Sequence, residues 1–72
     1  MNAQGETFLG TIVEGLPNAL FRVALDDGRD VLAHIGGRLR LTVVRLLPGE
    51  RVRVELTLLD ASRGRIVAKV AR

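Results

Sequence analysis

A chain of 72 residues with a net charge of +3 has room for one small domain, expected over residues 1–72 with 1–6 as a disordered tail. Leu, Ile and Val number 24, too many for a disordered chain; no cysteine and a single histidine leave no disulfide and too few ligands for a zinc site, so no cofactor is expected. The start lacks a basic stretch followed by an apolar run, and no apolar run reaches membrane-spanning length, which predicts a cytoplasmic protein.

The chain reads as short strands separated by turn signals. Phe8, Gly10, Ile12 and Glu14 alternate with Leu9, Thr11 and Val13 until Leu16-Pro17-Asn18 interrupts. Phe21, Val23 and Leu25 alternate with Arg22, Ala24 and Asp26, and Asp27-Gly28 then gives a hairpin signal. Val31, Ala33 and Ile35 make a third strand. Gly36-Gly37 ends it, and the segment from Arg38 to Leu47 fits both a helical face and an alternation. A short helix or turn is favoured there, because glycines precede it and Pro48-Gly49 closes it. Val52, Val54, Leu56 and Leu58 alternate with Arg51, Arg53, Glu55 and Thr57. Asp60 to Gly64 reads as a polar loop, and Ile66, Val67 and Val70 as a last short strand.

Five strands with a connector between the third and fourth predict an all-β fold, a five-stranded Greek-key barrel of the OB type. An SH3-like barrel of similar size is the alternative. Closure hides the edges that a short β chain otherwise exposes, and Gly10 sits mid-strand where a barrel strand must bend. The expected core comprises Ile12, Phe21, Val23, Ile35, Val52, Val54 and Leu56.

Charge is unevenly spread. Residues 1–36 carry a balance of −3 and residues 37–72 a balance of +6, and ten of the eleven cations are arginine. The planar guanidinium fork suits phosphate, so a polyanionic partner is indicated. Arg38 and Arg40 follow one glycine pair, and Arg63 and Arg65 flank Gly64, where glycine would let backbone approach a phosphate. Arg51 and Arg53 read as a solvent face opposed by Glu55. Both phenylalanines fall on core-facing positions and no Trp or Tyr is present, so any RNA grip would rest on phosphate and shape more than on stacking. Signals for catalysis are thin: Gly5 and Gly10 have Walker A spacing, but Thr11 stands where Lys is needed. Asp26 and Asp27 pair up in a hairpin turn, where Asp belongs for backbone reasons. No enzyme is expected.

Gly10-Thr11-Ile12-Val13-Glu14, Leu16 to Val23, Ala33 to Arg40, Val54-Glu55-Leu56-Thr57 and Asp60 to Val67 together resemble bacterial translation initiation factor 1 in order, spacing and length. The resemblance implies an OB barrel that binds the decoding (A-site) region of small-subunit ribosomal RNA, beside ribosomal protein. It also implies that the factor blocks premature aminoacyl-tRNA entry and assists initiation factors 2 and 3, as a monomer. On this basis His34, Arg38 and Arg40 match the family's His-Ile-Ser-Gly-Lys-Met-Arg segment. Arg45 matches the basic residue after its helical turn. Arg63, Arg65 and Lys69 match the basic residues of its last loop and strand.

Departures from the family pattern are specific. Ser is usual where Gly36 stands, Tyr where Val43 stands, a Pro-Tyr pair at Leu58 and Leu59, and an aromatic at Ala68. The pattern reads as a diverged second copy of the factor, with Leu41, Val43 and Leu59 expected to form an exposed apolar patch. The alternatives are a diverged OB module that binds a protein partner through that patch, or a general RNA chaperone.

Overall fold

Each alternating segment becomes a strand in the computed structural model, which describes residues 6–36, 46–57, 60 and 62–70. The strands are β1 (Thr7–Leu16), β2 (Leu20–Leu25), β3 (Asp30–Ile35), β4 (Arg51–Leu56) and β5 (Arg63–Lys69). β1, β2 and β3 form an antiparallel meander. β4 runs antiparallel to β1 and to β5, while β5 lies parallel to β3. The strand order β1-β2-β3-β5-β4 closes on itself, which is the expected five-stranded barrel. The connector helix or turn expected over 38–47 falls outside the described residues up to Arg45, and Leu46 and Leu47 are in neither helix nor strand. Among the described residues no helix is long and apolar enough to cross a membrane.

Inward positions of the alternation fill the barrel. Ile12, Val23, Leu25, Val31, Ala33, Leu46, Val52, Val54, Leu56 and Ile66 are buried. Phe21 and Ile35, both expected in the core, pack against its margin and stay half-buried. The Phe21 ring lies against Gly15 across the β1–β2 pair. Phe8 is also marginal, and the Arg29 guanidinium covers its ring at 4.7 Å from the centroid. Glu6 is tied to the barrel, its carbonyl accepting from the Leu56 N–H at 3.1 Å.

Two bulges shape the wall. Ile12 opposes Val23 while Glu14 opposes Arg22, so Val13 is an extra residue in β1. Arg53 opposes Ala68 while Val54 opposes Ile66, so Val67 is an extra residue in β5. Val13 and Val67 each follow an inward residue, Ile12 and Ile66, and face outward, exposed at 44% and 36%; the extra residue then shifts the phase of the strand beyond it.

β5 begins earlier than the sequence suggested. Arg63 and Gly64, read as loop, are strand residues paired with Leu32 and Ala33. Packing requires a glycine at position 64. A Cβ on it would stand 2.8 Å from Val54 Cγ1 and 2.9 Å from the Glu55 carbonyl oxygen. Gly10 meets the same constraint, with Val23 Cγ1 at 2.8 Å and the Ala24 oxygen at 2.9 Å.

Gly64→Ala is therefore expected to cost about 1–3 kcal/mol through forced backbone displacement. Gly15→Ala, whose nearest non-adjacent atom would be at 3.7 Å, should change stability by less than about 1 kcal/mol and in the stabilising direction. Urea unfolding of both variants checks the contrast.

Candidate nucleic-acid interface

The outward positions of β2, β3 and β5 assemble one wall. Strand register sets Leu20 opposite His34 and His34 beside Arg65. The next row sets Arg22 opposite Leu32 and Leu32 beside Arg63. Leu20, Leu32, His34, Thr57, Arg63 and Gly64 line a shallow groove of about 190 Å³. His34 and Arg63 are exposed, and the two leucines are half-buried along it. Turn chemistry shapes both flanks. In the β1–β2 loop, Asn18 and Ala19 hold left-handed φ values of 67° and 59°, which favours a fixed turn where Ala is costly. In the β4–β5 loop, Thr57 Oγ1 donates to the Asp60 carbonyl at 2.9 Å and accepts from the Asp60 N–H at 2.9 Å. One Asp60 carboxylate oxygen accepts from the Ser62 N–H at 3.0 Å and the Ser62 hydroxyl at 2.6 Å.

Ion pairing sorts the cations. Arg22 bonds Glu14 at 2.8 Å, Arg29 bonds Asp27 at 2.8 Å, and Lys69 reaches Glu50 at 3.2 Å. Arg51 grips both Asp26 oxygens at 2.7 and 2.6 Å and also donates to Thr11 Oγ1 at 2.9 Å. Arg65 bonds Glu55, the one buried charged residue among those described. The expected opposition of Glu55 to Arg51 and Arg53 is replaced by this pair, because register places Glu55 directly across from Arg65. Among the described Arg and Lys side chains, only Arg53 and Arg63 have no ion pair with a described carboxylate.

The structure thus brings His34, Arg63 and Arg65 together, with Arg65 already engaged and its stem lying within 3.1 Å of where a Gly36 Cβ would be. Lys69 is elsewhere, lining a second groove with Leu47, Pro48, Gly49, Glu50, Arg51 and Val70. Arg38, Arg40 and Arg45 lie outside the described residues, as does the expected patch of Leu41, Val43 and Leu59. Sequence reading missed Leu20, Leu32 and Thr57 as groove residues. The two leucines on outward phases of their strands were the available signal.

The decisive match spans the whole sequence: the family described as Translation initiation factor 1A / IF-1 matches residues 1–72. The chain belongs to that family. Among solved structures, the family fold is matched in the solution structure of translation initiation factor 1 from the Wolbachia endosymbiont strain TRS of Brugia malayi. The two are 34% identical, with 92% of this chain and 78% of that chain covered and a TM-score of 0.74. YjeQ from Thermotoga maritima shares the fold at 24% identity and a TM-score of 0.75, over 93% of this chain and 23% of that one. The barrel is the OB-fold of the initiation-factor family, and OB-folds present the β2–β3 face and the β1–β2 and β4–β5 loops to oligonucleotides. The groove around His34 and Arg63 lies on that face.

The pairs also set an acid response. Hydrogen bonding from Arg51 holds the Asp26 carboxyl below the usual carboxylate range, and Arg29 does the same for Asp27. The Ser62 hydroxyl, followed by the Ser62 N–H, lowers Asp60. In the unfolded chain these carboxyls return to about 4, so the unfolded state binds more protons in acid. Their contribution is complete above that value and is lost as pH falls through the lower folded-state values. Urea midpoints should be flat from neutrality to about pH 5 and then decline. Asp26→Asn should start lower and decline less steeply; a decline beginning near pH 7 would contradict this origin.

Proposed function

We propose that this chain acts in translation initiation by binding the decoding (A-site) region of small-subunit ribosomal RNA in the cytoplasm. As a monomer without catalytic chemistry, it blocks premature entry of aminoacyl-tRNA and assists initiation factors 2 and 3. The observation that carries the reading is the unpaired Arg63 beside His34, in a groove on the wall that OB-folds offer to nucleic acid. Family membership supplies the biological setting.

Charge accounting supports the same reading. The described residues carry seven cations against eight carboxylates, so the barrel alone has no surplus for a polyanion. The net +3 of the chain comes from Arg38, Arg40, Arg45 and Arg72. Arg38, Arg40 and Arg45 would add phosphate contacts, while Arg63 and His34 meet the nucleotide chain within the groove. Arg65 adds a neutralised fork, and Lys69, held by Glu50 in the other groove, adds least. With two phenylalanines and no Trp or Tyr, phosphate contact and fit to RNA shape dominate over stacking.

Co-sedimentation with small ribosomal subunits across a salt series tests this. Arg63→Gln should weaken binding and lower the salt slope by roughly one unit, and the Arg38→Gln/Arg40→Gln pair by roughly two. Arg51→Gln, which removes a cation already held by Asp26, should leave the slope in place. Chemical footprints should concentrate at the decoding region and fade as aminoacyl-tRNA is added in excess. Equal affinity for any RNA of similar length would instead mean a general RNA chaperone.

A further inference from the structure

The wall that carries the groove does not stop at β5. That strand pairs with β3 on one side and with β4 on the other, so the outward side chains of β4 continue the same surface. Register sets Glu55 directly across from Arg65 and Arg53 across from Ala68. Arg53 therefore stands one diagonal step from Arg65, roughly 7–8 Å in such a pair. Arg63 is two residues from Arg65 along β5, roughly 7 Å in an extended strand. Three guanidinium groups thus follow one another from the groove, across β5 and onto β4.

The carboxylate within this stripe is covered. Glu55 is engaged by Arg65, and its side chain is 11% exposed against 48% for the arginine. Arg51, next outward on β4, is turned to Asp26. Every Asp and Glu of the chain is among the described residues, and none of them forms an ion pair with Arg53 or Arg63. The alternation alone reads Arg51 and Arg53 as equivalent residues of a solvent face. Register makes them different, because only Arg51 has an acid within reach.

We propose that the phosphate backbone of bound RNA leaves the groove at Arg63, passes Arg65 and reaches β4, where Arg53 makes a further phosphate contact. The proposal deepens the RNA reading above and rests on it. A polyanion suits the stripe because its successive charges serve all three cations, whereas a single carboxylate would serve one. The planar fork of each arginine also matches the oxygens of a phosphate. Val67 and Ala68 keep the surface between β5 and Arg53 low, so a strand can lie across it.

Two measurements test this. The first is binding to small ribosomal subunits across a salt series for the wild type, Arg53→Gln, Arg53→Lys and Arg63→Gln, with melting curves to show that each is folded. Arg53→Gln should bind more weakly and lose roughly one unit of salt slope. Arg53→Lys, which keeps the charge, should keep the slope. A wild-type slope in Arg53→Gln overturns the proposal, whether its affinity holds or falls. The second uses the absence of cysteine from the chain. Val67→Cys gives one attachment point beside Arg53 without removing a cation, and Ser62→Cys gives one beside Arg63. An iron chelate on either releases hydroxyl radicals that cut nearby RNA backbone. Cuts from position 67 should fall on the same RNA strand as those from position 62 and adjoin them. Cuts from position 62 with none from position 67 overturn the proposal and leave the RNA reading standing. An unchanged slope in Arg63→Gln, with no cuts from either position, overturns the RNA reading and the proposal with it.

Discussion

The close approach at Gly64 is the constraint on which the rest of the molecule depends. β5 enters between β3 and β4 only because no side chain separates Gly64 from Val54 and from the Glu55 backbone. That insertion closes the barrel and hides the edges of β3 and β4. It also sets the phase of β5. With Gly64 and Ile66 facing inward, Arg63 and Arg65 must face outward, beside Leu32 and His34. The same glycine that permits packing therefore aims two guanidinium groups at one wall.

Ion pairing then divides those groups by role. Arg65 meets a carboxylate that the fold has buried, and leaving Glu55 without a partner would cost more than an exposed pair contributes. Arg63 has no such obligation and is available to an external anion. Arg22, Arg29, Arg51 and Lys69 are held across strands or loops by carboxylates. Among the described cations the sorting is strong: five of the seven brace the wall through carboxylates, and Arg53 and Arg63 face outward without one.

Strand identity was legible wherever inward and outward residues differ in polarity. Val52, Val54 and Leu56 announce β4, and Val31 and Ala33 announce β3, because period-2 alternation is written residue by residue. β5 was half legible: Arg63-Gly64-Arg65 has the composition of a turn, and only the neighbouring strand makes glycine necessary there. The bulges at Val13 and Val67 had no local signal, since an extra residue is defined by its partner strand. For the candidate site, Arg63 and Arg65 were legible from their place on either side of Gly64, and the family resemblance added His34 and the same two arginines. Their convergence came from parallel pairing between β3 and β5, segments distant in sequence. The Glu55–Arg65 pair was misassigned for the same reason, as register between strands is absent from any single strand.

That parallel pairing also orders events in time. The β1–β2–β3 meander joins neighbours through short turns, so it can form while later residues are still being added. β4 can dock on β1 next, yet the ring stays open, because the strand that fills the gap between β3 and β4 is made after both. Until β5 arrives, two strand edges and the interior valines face water. At synthesis rates of about 5–20 residues per second, this interval lasts on the order of a second, long compared with microsecond hairpin formation. The nascent chain is thus most prone to unwanted strand pairing just before its last strand emerges, and the arginines of β5 arrive together with the segment that ends that exposure.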